Sequence, residues 1–265
     1  MAAKKILVNR VKPLKVSGQR IKALPFSHLI PNITTLMALC TGLSAIRFAL
    51  LDRLEYAVIA IVVAAILDGM DGRLARMLGV SSHFGAELDS LSDFVSFGVA
   101  PAMIIYLSTL HVWGGFGWAV ALFFIICSAL RLARFNTSLI DTEPIPDWMK
   151  NYFIGVPAPA GAFLALMPFM IRFAMESSYE WISFLSVISL LLSGMLMVSK
   201  IPTFSAKGIH VPQSWILPLM LGVGVVITGL INAFWFTFFL IGFVYLLSIF
   251  FSWRLFKSRL DKTDS

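Results

Sequence analysis

Cysteine is nearly absent from this chain of 265 residues, and charge is thin. The two cysteines, Cys40 and Cys127, lie inside separate apolar runs at no ligand or pairing spacing. That excludes a disulfide framework and a cysteine metal site, and leaves both as core filler. Charged residues make up 13% of the chain against 58% hydrophobic, which excludes a soluble globular domain. No stretch is polar and long enough for a separate soluble domain, and no internal repeat stands out. No cleavable leader is apparent, because the first apolar run begins only near Leu29, after a basic arm.

What the chain has instead is long continuous apolar runs. About 20 apolar residues cross the hydrocarbon of a bilayer, and continuous rather than alternating runs select helices over a barrel. Eight spans are expected, at about residues 29–51, 53–78, 84–110, 118–132, 153–175, 181–198, 214–231 and 234–253. The fold class is an all-α polytopic membrane bundle. The prolines and glycines of GVPAPAGA break or bend the fifth span, and the last two spans carry no charge and read as packing or lipid-facing helices.

The net charge of +7 sits almost entirely at segment ends, which favours orientation and anionic lipid over nucleic acid. Lys4, Lys5, Arg10, Lys12, Lys15, Arg20 and Lys22 fill the arm, and Arg254, Lys257, Arg259 and Lys262 the tail. The opposite links hold Asp52, Arg53, Glu55, Glu176 and Glu180. Both termini are therefore expected in the cytosol of a cell (inner) membrane protein. Residues 1–28 form the arm, 29–200 the transmembrane core, 201–253 an additional helix pair and 254–265 the tail.

Against this background, residues 68–93 place four aspartates where hydrocarbon tolerates them least. Asp68 follows AVIAIVVAAIL without a break, and Asp93 leads into FVSFGVAPAMIIYL. Asp68 and Asp71 are three apart and Asp89 and Asp93 four apart, so each pair projects from one helix face. Gly72 with Arg76, and Gly85 with Asp89, repeat the four-residue step. Two such faces joined by a turn containing Gly79, Ser81 and Ser82 line one pocket with carboxylates, a guanidinium and bare backbone. Divalent cations are the natural compensation, since they take carboxylate oxygen and bridge to phosphate. Spacing alone supports a metal-dependent phosphoryl-type transfer at a membrane surface. His83, alone in the turn, reads as a capping or solvated residue. Asn32, Thr34 and Thr35 put polar groups at the same mouth, with Asn32 either a cap or a nucleotide contact. Arg131, Arg134 and Asn136 end the fourth span on that side, either snorkelling or reaching an anionic group.

Asp68, Asp71-Gly72, Ala75-Arg76, Gly85, Asp89 and Asp93 match at every spacing the D-x-x-D-G-x-x-A-R-x8-G-x-x-x-D-x-x-x-D signature of the CDP-alcohol phosphotransferase family, which the chain resembles. SFGVAP, RLARFN, GVPAPAGA and MVSK resemble the branch of that family that uses serine as acceptor, so the similarity runs over about residues 31–200. The resemblance implies a six-helix bundle, generally a homodimer, here with an extra C-terminal pair. It implies that Asp68, Asp71, Asp89 and Asp93 hold two divalent ions, Mg²⁺ or Mn²⁺, with Asp93 also the base. It further implies that Pro31, Asn32, Gly72, Arg76 and Ser82 hold CDP-diacylglycerol. The reaction implied is attack by the hydroxyl of L-serine on the phosphorus that bears diacylglycerol, with release of CMP. Arg131, Arg134 and Asn136 are the candidates for the acceptor, whose carboxylate asks for a cation. Where many relatives have Arg-Tyr, this chain has Ile201-Pro202-Thr203-Phe204, so glycerol 3-phosphate, inositol phosphate and choline stay open as acceptors. An ion-coupled transporter is the alternative of another class, but it predicts two related halves and acids at mid-membrane.

Overall fold

The computed structural model describes residues 29–80, 82–138, 152–175, 180–199, 201–204 and 213–263. The basic arm, Ser81, the loop after residue 138, and Lys200, Lys207 and His210 lie outside the described residues. Helices α1 (Leu29–Leu50) and α2 (Leu54–Leu78) form an antiparallel hairpin. Small buried residues make the approach close: Ala38, Gly42, Ala45 and Ala49 on α1, and Ala57, Ala60 and Ala64 on α2. In a bilayer, where apolar contact with lipid is no worse than with protein, such small-residue stripes are what let backbones pack. The register of this hairpin sets the aspartates of α2 beside the start of α1.

The next span is one rod of three parts: α3 (His83–Asp93), a π-helical segment (Phe94–Val99) and α4 (Ala100–Ser108). Two buried serines fix it to α1, with Ser92 Oγ donating to Thr35 O at 3.2 Å and Ser96 Oγ to Ala38 O at 3.4 Å. A side chain on Gly42 would meet Ser96 Cβ at 2.7 Å, and one on Gly98 would meet Ser128 Oγ at 2.7 Å, so both faces of the π segment are in intimate contact. The sequence reading of a plain helix over about residues 84–110 is corrected here: one extra residue per turn, directly after Asp93, shifts the face presented by the rest of the rod.

Helix α5 (Gly114–Ser138) follows a 3₁₀ turn at Leu110–Trp113 and is longer at both ends than the expected span over 118–132. Tyr152–Ile154, expected inside the fifth span, is instead strand β1, paired antiparallel with β2 (Pro202–Phe204), with Phe153 opposite Thr203. Gly155, at φ 81°, turns the chain between β1 and the helix that follows, and Val156 and Pro157 are non-helical. Helix α6 (Ala158–Met175) therefore starts only after the GVP stretch. Pro168 inside α6 lacks the N–H that would bond Leu164 O, and Ser189 Oγ of α7 (Glu180–Val198) donates to Leu164 O at 2.7 Å and to Ala165 O at 2.9 Å.

Two helices close the chain: α8 (Ile216–Asn232), with no buried residue, and α9 (Phe234–Thr263), which runs through the expected tail without a boundary at 253. Among the described residues, six helical stretches are long and apolar enough to cross a membrane: Leu29–Leu50, His83–Ser108, Leu110–Thr137, Ala158–Met175, Trp181–Val198 and Phe234–Ser252. Helix α2 carries too many charged residues for that tally, and α8 has only 17 residues. The chain is a multi-pass helical membrane protein whose described strands are the short β1–β2 pair.

Candidate functional site

The hairpin and the α3 rod bring the two aspartate pairs face to face. One carboxylate oxygen each from Asp68, Asp71 and Asp89 lies within 4.8 Å of the others. Asp93 adjoins Asp68, one turn after Asp89. At this separation each ionised pair repels by about 3–4 kcal/mol for an effective dielectric near 20, so the cluster needs cations or protons to persist. Asp71 is buried, and its Oδ2 accepts a hydrogen bond from Thr35 Oγ1 at 2.8 Å. Pro31 O, 3.0 Å from the same hydroxyl, is a second acceptor that shares its single proton.

Asp89 Oδ1 and Asp93 Oδ1 are buried and have no hydrogen-bond partner among the described residues. Buried carboxylate oxygens are rarely left so, and an oxygen-only donor set with unpaired atoms fits Mg²⁺ or Mn²⁺. The residues present thus fit the metal that the aspartate spacing calls for.

Beside the cluster opens a cleft of about 510 Å³ lined by Pro31, Asn32, Thr35, Asp71, Gly72, Ala75, Val80, Ser82, Gly85, Ala86 and Asp89. Four of the five residues expected to hold the nucleotide lie on its wall. Gly72 has open space where a side chain would stand, so backbone is presented directly to the cleft. Gly85 is different: a Cβ there would meet Asn32 Oδ1 at 3.0 Å and Ser82 Oγ at 3.1 Å. Ser82 caps α3, its Oγ accepting from Gly85 N at 3.0 Å, and His83 takes the first helical position. Gly79, at φ 63°, ends α2 in the left-handed conformation, and the turn from α2 to α3 frames the outer side of the cleft. Arg76, the fifth expected nucleotide residue, is exposed and is not on the cleft wall; its Nε donates to Gly72 O at 2.9 Å.

The three acceptor candidates on α5 take separate positions. Arg134 donates to Val198 O at 2.7 Å, Ser199 O at 3.2 Å and Met197 O at 3.4 Å, satisfying the carbonyls at the end of α7. Asn136 Nδ2 donates to Ser90 Oγ at 3.0 Å, which ties α5 to α3 on the turn between Asp89 and Asp93. Arg131 has a buried Nε with no partner, lies 5.9 Å over the Phe135 ring, and is within electrostatic range of Asp93. Sequence reasoning missed the contacts of Thr35, Ser90 and Ser92. The polar residues were visible at helical spacing, but their partners sit on other helices.

Residues 28–198 match the family model described as CDP-alcohol phosphatidyltransferase, and residues 214–249 match a second one, CDP-alcohol phosphatidyltransferase 2. Among curated proteins, the chain is 40% identical over 195 residues to the CDP-diacylglycerol–serine O-phosphatidyltransferase of Mycobacterium tuberculosis (strain ATCC 25618 / H37Rv), covering 73% of this chain and 67% of that protein. It is 38% identical to the enzyme of the same name from Helicobacter pylori (strain 26695), over 66% of this chain and 71% of that one. The one from Methanocaldococcus jannaschii is 38% identical, over 65% and 72%. With the signature aspartates gathered at one cleft and the match spanning the whole core, the chain belongs to the CDP-alcohol phosphatidyltransferase family.

Proposed function

We propose that this protein is a phosphatidylserine synthase, moving the phosphatidyl group of CDP-diacylglycerol to the hydroxyl of L-serine and releasing CMP. The observation that carries the reading is the convergence of Asp68, Asp71 and Asp89 beside a cleft walled by Asn32, Gly72 and Ser82. The curated relatives bear that activity in their names and cover most of the core. Membership in a transferase family supports transfer over ion-coupled transport.

Asp68, Asp71, Asp89 and Asp93 would hold the divalent cations, two ions of Mg²⁺ or Mn²⁺. When bound, these supply positive charge against the pyrophosphate and the departing CMP. The chain's own groups do the rest. Pro31, Asn32 and Ser82 orient the nucleotide, Gly72 lets backbone approach it, and Arg76 offers its guanidinium at the rim. Asp93, with an oxygen free of protein partners, accepts the proton of the serine hydroxyl as that oxygen attacks phosphorus. The bond to CMP breaks and the phosphodiester of phosphatidylserine forms. Arg131 takes the serine carboxylate, since its buried Nε has no partner among the described residues, and Asn136 shapes the same wall through Ser90. Arg134 keeps the end of α7 in place beside them.

Adding α2 and α8 to the six apolar stretches gives eight spans, both termini in the cytosol, and the cleft at the cytosolic face of the cell (inner) membrane. In that arrangement residues 1–28 form the arm, 29–200 the transferase core, 201–253 the added pair and 254–265 the tail, in a homodimer. The direct test supplies purified protein with CDP-diacylglycerol, Mn²⁺ or Mg²⁺, and serine, glycerol 3-phosphate, inositol phosphate or choline in turn. CMP release is expected with serine; release with another acceptor alone would reassign the substrate, and none with any would overturn the enzyme.

A further inference from the structure

Helix α3 carries two of the four clustered aspartates, yet little apolar packing holds it. Of its described residues only Ser92 is buried, and the helix packs broadly on α1 but scarcely on α5. Asp89 Oδ1 and Asp93 Oδ1 have no partner among the described residues, so those oxygens do not anchor it either. The direction in which its carboxylates point is left to the other polar side chains.

Two serines carry that load from opposite flanks. At about 100° per residue, Asp89 and Asp93 share one face of α3, with Ser90 to one side of that face and Ser92 to the other. Ser92 Oγ donates to Thr35 O of α1 at 3.2 Å. On the other flank, Asn136 Nδ2 of α5 donates to Ser90 Oγ at 3.0 Å. The Ser90 hydroxyl has a single proton, and its acceptors are Ala86 O and Asn136 Oδ1, both at 3.1 Å. The end of α5 that carries Asn136 is tied down in turn, since Arg134 donates to Val198 O and Ser199 O at the end of α7. A tether on one flank alone leaves α3 a hinge about which to roll. Tethers on both flanks remove that freedom.

We infer that Asn136 is a positioning residue for the second aspartate pair: through Ser90 it stops α3 from rolling, and so keeps Asp89 and Asp93 aimed at the cation site. This rests on the reading of the aspartate cluster as a divalent-cation site. Asn136 then bears on the acceptor only through α3, and not by a contact of its own.

The test is Mn²⁺ binding to the full-length protein in detergent micelles, followed by electron paramagnetic resonance, for wild type, Asn136→Ala, Ser90→Ala and the double variant. Thermal unfolding and the KM for serine are measured on each. Partners behind metal ligands are worth roughly 10–100-fold in affinity, and each single variant is expected to weaken Mn²⁺ binding about tenfold. The double variant is expected to bind no more weakly than either single one, since all three lose the same bond. The unfolding midpoint is expected to stay near that of wild type, and the serine KM at saturating Mn²⁺ to move no more in Asn136→Ala than in Ser90→Ala. Wild-type Mn²⁺ affinity in either folded single variant, or additive losses in the double variant, would overturn the proposal. So would a serine KM raised in Asn136→Ala alone, which would make Asn136 an acceptor contact, or failure of both single variants to fold. If one alone fails to fold, the Mn²⁺ affinity of the other decides. If the wild type itself binds no Mn²⁺, the cation-site reading falls with the proposal; if the variants bind as the wild type does, that reading stands and the role of Asn136 falls.

Discussion

Thr35 Oγ1 donates to Asp71 Oδ2 across 2.8 Å, joining the mouth of α1 to the carboxylate cluster of α2. The bond fixes which oxygen of Asp71 remains for a cation. Partners of this kind behind metal ligands are worth roughly 10–100-fold in metal affinity. Thr35→Val, which keeps the shape and removes the hydroxyl, is expected to raise the Mn²⁺ concentration for half-maximal CMP release by that factor. The same metal dependence in the variant would show that Asp71 needs no such support.

Gly85 bears on the nucleotide side. A methyl group there would press on Asn32 Oδ1 and Ser82 Oγ, at 3.0 and 3.1 Å. Gly85→Ala is expected to raise the KM for CDP-diacylglycerol several-fold while sparing that for serine. An effect on serine alone would move Asn32 and Ser82 away from the nucleotide.

Asp93 is the proposed base, and its substitution separates chemistry from binding. Asp93→Asn is expected to abolish turnover and largely retain CDP-diacylglycerol binding, followed by protection against thermal unfolding. Retained turnover would take Asp93 out of the proton transfer.

Arg134 and Arg131 lie one turn apart on α5 and are expected to respond differently. Arg134→Gln removes the donors from three carbonyls of the α7 end and is expected to cost about 1–3 kcal/mol of stability. A raised serine KM in a fully stable Arg134→Gln protein would instead assign Arg134 to the acceptor.

Much of the site was legible in the sequence because helical periodicity is local. The steps between Asp68 and Asp71 and between Asp89 and Asp93 fix one face each, and charge inside apolar runs points to a cation. What was not legible depends on the register between distant helices. Ser92 of α3 meets Thr35 O of α1, and Asn136 of α5 meets Ser90 of α3, across helix pairs whose relative heights no local spacing encodes. The π segment after Asp93 has no signature in FVSFGV; it shows only against Gly42 and Ser128. Strand β1 was hidden for a similar reason, since YFI is apolar enough to extend the fifth span, and its partner lies some fifty residues on. Arg134 read as a snorkelling or anion-binding residue because nothing local announces the open carbonyls of α7.

Direct Mn²⁺ binding to the purified protein, followed by electron paramagnetic resonance in wild type and in Asp68→Asn, Asp71→Asn and Asp89→Asn, tests the central claim. Saturable binding that weakens sharply in each variant is the expected result. Equal binding in all four proteins, or none in the wild type with CDP-diacylglycerol present, would contradict a cation site at the aspartate cluster.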